Sequence, residues 1–271
     1  MFRSLVAGAL VVAASAALAS GQTAAQKPGP LDNLVPTPNP VTSPAQIDAG
    51  LSGQWRRAMR EKYEGKFPGP APRTPEGRPD FSGVWIGDST PERPAMTQLG
   101  LTLLEDRFKT NLKDFPYSVC LPPATVPSEP GGAFWVVMHN QTHLATLFEF
   151  PPNYRLVFLD GRPHPPDVEP AWMGHSIGRW EGDTLVVDSI GFNDKSWLTF
   201  FMPHTAKLHI TERWTRTTMG AMTVEVMHED PDIFLKPWKV VFRFFLAPGE
   251  ELMENICENN RFLQLSAGQN P

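Results

Sequence analysis

The chain has 271 residues, 24 Lys+Arg against 29 Asp+Glu, and a formal net charge of −5 at pH 7. Mild acidity without a basic run argues against nucleic acid or anionic lipid as a partner. The length suits one large β domain or two small ones and leaves the oligomeric state open.

The chain opens on Met1-Phe2-Arg3, then runs through apolar and small residues from Leu5 to Ala19, with Ala17-Leu18-Ala19 in a small-x-small arrangement. About 15 such residues are short for a membrane span and typical of a secretory signal. Residues 1–19 are therefore expected to be a cleaved signal, with an uncleaved N-terminal anchor as the alternative. No later segment reaches about 18 consecutive apolar residues, so no stable membrane span is expected after cleavage. The protein is expected to be secreted or periplasmic. In that compartment its two cysteines, Cys120 and Cys257, predict one disulfide closing a long loop.

Residues 20–80 read as a Pro/Gly-rich extension, with a short charged helix over 51–64 ("LSGQWRRAMREKYE") and an extended stretch over 65–80. Strand and turn signals dominate from Phe81 to about residue 265. "FSGVWIG" (81–87) reads as a strand, and residues 94–112 as a helix. "AFWVVMHNQTHLATLFEF" splits at Asn140-Gln141 into two apolar strands. "YRLVFLDGRP" reads as a strand with a hairpin turn at Asp160-Gly161, its return limited by Pro163, Pro165 and Pro166. "GHSIGRWEGDTLVVDSIGF" (174–192) reads as a hairpin turning at Glu181-Gly182. Further strands lie in "KLHITERWTRTTMGAMTVEVMHE", turning near Met219-Gly220, and in "KPWKVVFRFFLAPGEELMENICEN", read as two closing strands. Nine or ten evenly spaced antiparallel strands predict a mainly β fold, either a barrel of lipocalin-like or calycin-like form or a sandwich, with one or two short helices.

"RTPEGRPDFSGVW", "CLPP", "FLDGRPHP", "GRWEGDTLVVDSIGFND", "ERWTR", "DPDIFLKPW" and "ENICENN" occur in order between residues 73 and 260. Together they resemble a large family of uncharacterised secreted bacterial β-rich proteins. The resemblance implies export and the disulfide, and brings no reaction with it. Gly83-x-Trp85 more weakly resembles the entrance of lipocalin-like barrels.

The central hairpin carries the chemistry. A turn centred on Glu181-Gly182 with an even loop sets His175 opposite Asp188. Their Cβ atoms would then lie roughly 4.5–5.5 Å apart, within reach of an imidazole–carboxylate bond. An odd loop would put them on opposite faces. Paired inside a barrel, Asp188 would orient His175 as a general base. The bland alternative is a structural polar pair.

His204, after a proline in a loop, is the second catalytic candidate. Arg213, Asn193, His164 and Trp197 are candidate substrate contacts. Glu212, Trp214 and Arg216 share one strand face and Thr211, Arg213 and Thr215 the other, so only one set points inward. His139 and His143 stand four apart but flank a turn, so no metal site is expected. The nucleophile elbow, phosphate loop and dinucleotide fingerprint are all missing. The sequence thus predicts a cofactor-independent lyase, isomerase or hydratase acting on a small, partly apolar or aromatic molecule in a barrel cavity. The alternative is a periplasmic carrier with the same cavity.

Overall fold

The computed structural model describes residues 51–89, 94–110, 112–116, 121–122, 134–149, 153–198 and 201–254. The expected signal segment, residues 20–50 and both cysteines lie outside them.

Nine strands close into a barrel in sequence order. They are β1 (Gly83–Ser89), β2 (Trp135–His139), β3 (His143–Phe148), β4 (Asn153–Phe158), β5 (His175–Glu181), β6 (Thr184–Ile190), β7 (His209–Thr218), β8 (Ala221–Glu229) and β9 (Trp238–Leu246). Helix α1 (Leu51–Tyr63) precedes the barrel, and α2 (Gln98–Lys109) follows β1. Thr97 starts α2 by accepting the Gly100 amide on its side-chain oxygen at 3.1 Å.

Strict alternation builds the interior. Trp85, Trp135, Val157, Leu185, Val187, Trp214, Val224, Val226, Phe242 and Phe244 are all buried there in one packed core. The inward set on β7 is Glu212, Trp214 and Arg216, all buried, while Arg213 faces out.

Three expectations are corrected. The strands are not all antiparallel, because β4 and β5 pair in parallel over Val157↔Ser176 and Phe158↔Ile177. The Asp160-Gly161 turn does not return as a hairpin: Pro163, Pro165, Pro166 and Pro170 lack amide donors, and the segment becomes a crossover. Strand β9 follows β8 and closes the barrel onto β1, while most of the expected second closing strand lies beyond residue 254, outside the described residues. The folded unit also begins well before Phe81. Gly69 and Phe67 carbonyls accept the Met219 and Gly220 amides at 2.7 and 2.9 Å. Arg73 grips Asp183 with two bonds of 2.9 and 2.6 Å. Tyr63 is buried with Ile86, Phe134 and Phe245. Residues 64–80 are therefore a strap laid against the barrel.

The central hairpin turns on Gly182-Asp183, one residue later than expected. Gly182 takes φ +61°, which mirror-image hairpin turns require at their first central position. Glu181 pairs with Thr184, so His175 faces Ile190 and Asp188 faces Ile177.

Candidate functional site

The short parallel pairing is what opens the barrel wall. Below Val157↔Ser176 the two strands share no rungs, and the chain enters β5 through residues 171–174. Those residues are pinned to the exit of β6: the Ala171 amide donates to Gly191 O and the Asn193 amide to Ala171 O, each at 2.9 Å. At the other end of the pairing Leu159 folds inward over Gly178, where a Cβ would lie 2.5 Å from the leucine methyl. The result is a cleft of about 320 Å³ between β4 and the start of β5. Its walls include Tyr154, Leu156, Phe158, Trp172, Met173 and His175, with Arg155 and Ser176 reaching it from the inward faces.

The two-residue register shift preserves parity, so His175 and Asp188 do share a face. It is the outer face of the barrel, which corrects the expectation of a pair turned inward on a barrel cavity. They are also diagonal rather than opposed, some 7–8 Å apart. The crossover supplies the missing link. His164 places its Nδ1 2.8 Å from His175 Nδ1 and its Nε2 2.8 Å from Asp188 Oδ1. The other carboxylate oxygen of Asp188 meets His209 Nε2 at 2.8 Å, and His209 Nδ1 lies 3.4 Å from Glu229.

Hydrogen-bond arithmetic then assigns the protons. An ionised carboxylate only accepts, so both His164 and His209 donate from Nε2. A neutral His164 then has a bare Nδ1, and His175 must donate to it from its own Nδ1. The remaining nitrogen of His175, Nε2, carries a lone pair.

The electrostatics agree. Burial first, then the neighbouring His164 and Arg162, holds His175 below its ordinary value, so it is neutral near pH 7. The bond from His209, and after it that from His164, holds the Asp188 carboxyl below its ordinary value. The same bond to Asp188 raises His209. His175 also stacks on Phe158, ring centroids 5.3 Å apart, which fixes its plane.

Behind the cleft lies a buried polar cluster. The Arg155 guanidinium reaches Glu212 at 3.0 and 3.1 Å, Ser176 at 3.0 Å and Ser189 at 2.8 Å. Ser176 and Ser189 bond to each other at 3.0 Å, and Trp214 donates to Glu212 at 2.6 Å. Both charged side chains are at most 2% exposed. The guanidinium is a fixed brace between β4, β5, β6 and β7.

The other sequence candidates lie elsewhere. His204 is buried, with Nε2 accepting from Ser196 at 2.7 Å and Nδ1 donating to Thr205 O at 3.0 Å. Burial holds it below its ordinary value. Arg213 points outward and pairs with Glu181 at 2.9 Å. Asn193 caps a turn by accepting the Lys195 amide at 3.0 Å. Trp197 is buried under the Arg107 guanidinium, 4.0 Å from its ring. None of these four lines the cleft.

Among the described residues no group of three or more His, Cys, Asp or Glu side chains is arranged to hold a metal ion, and no helix is long and apolar enough to cross a membrane. No family model, curated protein or solved structure matches the chain.

Proposed function

We propose that the protein is an exported enzyme that moves a proton on a small, partly apolar or aromatic molecule seated in the β4–β5 cleft. The reaction is an elimination, isomerisation or hydration, and it needs no redox or group-carrying cofactor. The observation that carries the proposal is the His175–His164–Asp188 chain, because it leaves a lone pair on a histidine of the cleft wall. When His175 Nε2 takes a proton, the proton shared between the two Nδ1 atoms crosses to His164. The positive charge then rests beside the Asp188 carboxylate. Return of the proton to product reverses both transfers. This is the orienting logic of a base backed by a carboxylate, with one more imidazole in line.

Export rests on the Leu5–Ala19 run, and with it goes a Cys120–Cys257 disulfide.

The test is a benzisoxazole whose ring opens when a base removes its C–H proton and the N–O bond breaks, the electron pair leaving on oxygen. The wild type should turn it over with saturation, and His175→Ala should lose about 100-fold or more. Saturable binding with no turnover would favour the carrier reading, and an unchanged rate in His175→Ala would overturn the proposal.

A further inference from the structure

The cleft continues onto an apolar strip on the outer wall. On the outward faces of β2, β3 and β4 the register stacks two full apolar rungs. One is Met138–Ala145–Leu156 and the other Val136–Leu147–Tyr154. Their exposure is unusual for such residues: Met138 is 51%, Tyr154 72% and Leu156 38% accessible. Contiguous apolar surface of this kind marks a contact site more often than chance. Tyr154 and Leu156 belong to both features, since they also line the cleft. A ligand leaving the cleft over β4 therefore meets only the Tyr154 hydroxyl as a polar group on either rung until it has passed β2.

We infer that the ligand of the cleft is an amphiphile: a compact polar or aromatic head beside His175, and an apolar tail lying outside across β4, β3 and β2. This rests on the reading of the cleft as the ligand site and adds the class of ligand. Two strand spacings from β4 to β2 are about 10 Å, which a straight chain of roughly eight carbons covers. A tail with one side still in water gains about half the full burial increment, or about two-fold in affinity per methylene.

The probes are 4-alkylphenols from ethyl to nonyl, titrated below their aggregation limits. Their Kd should fall about two-fold per added methylene and level off near eight carbons. Met138→Asn and Leu147→Asn change side chains of the strip that do not line the cleft and should flatten that slope while leaving 4-ethylphenol within about two-fold of wild type. No slope in the wild type would overturn the inference, as would a slope unchanged in both variants. Chain-length-independent binding of neutral phosphatidylcholine vesicles, lost in Met138→Asn, would make the strip a membrane contact and would also overturn it. The two proposals fail separately. A flat slope with His175-dependent turnover refutes only the amphiphile, and a normal slope with His175-independent turnover refutes only the mechanism.

Discussion

Glu212→Gln should be the most damaging conservative change in the barrel. The Arg155–Glu212 pair is buried on both sides and closed by Ser176, Ser189 and Trp214. The amide keeps the shape but leaves the guanidinium charge without a counter-ion. Breaking one side of a buried pair costs about 3–5 kcal/mol. That is a large share of the total stability of a typical domain, about 5–15 kcal/mol. The double variant Arg155→Met/Glu212→Leu removes both charges. Ser176 and Ser189 keep their mutual bond, and the main orphan is the Trp214 indole N–H. Its net cost should be about 1–3 kcal/mol, less than that of Glu212→Gln alone. Urea unfolding followed by circular dichroism, completed as a cycle with both single variants, measures the coupling. A Glu212→Gln loss below about 1 kcal/mol, or a double-variant loss equal to the sum of the singles, would refute the reasoning.

Burial lowers His228 from 6.5 to about 4 in the fold, so it destabilises the protein as pH falls from 6.5 toward 4, by up to about 3 kcal/mol. In His228→Asn that part of the acid dependence of Tm should vanish. Asp188 is lowered and His209 raised by their contact, so its stabilisation is full above the ordinary carboxyl range and below 6.5. It fades as acid protonates Asp188 and as base deprotonates His209, so the stability gap between wild type and Asp188→Asn should peak between those limits, at about 1–3 kcal/mol by urea unfolding. The His175 base form requires pH above its lowered value, so kcat/KM on the benzisoxazole should rise through a pKa below 6.5. His164→Asn should depress that plateau and disturb the profile without unfolding the barrel, as thermal melts will show.

The barrel was legible because its strands alternate cleanly and their turns carry Asn140, Gly182 and Gly220. Parity of the central hairpin was legible too, so His175 and Asp188 do lie on one face. Their separation was legible only from turn chemistry: glycine at the first central position favours Gly182-Asp183 over Glu181-Gly182, and that one-residue move changes opposed residues into diagonal ones. His164 was legible only as a histidine in a proline-stiffened loop. Its role depends on the β4–β5 crossover, a long-range pairing of two rungs without a sequence signature. Arg155 and Glu212 were missed as a pair because they lie 57 residues apart on strands that are not neighbours. Their alternation pattern marks each as inward, and an inward charge demands a partner, which was the available signal. His209 reads from the sequence as one more residue of a strand, and only the β6–β7 register, Asp188↔Thr211, puts it within reach of the carboxylate.

The central claim is that His175, on the cleft wall, keeps a bare Nε2 because His164 and Asp188 dictate the tautomer. Nitrogen NMR of imidazole-labelled protein above the His175 pKa reads this directly, without a substrate. The prediction is a protonated Nδ1 and an unprotonated Nε2 on His175, with a protonated Nε2 on His164, and loss of this preference in Asp188→Asn. A His175 that carries its proton on Nε2, or that averages both tautomers as free imidazole does, would contradict it.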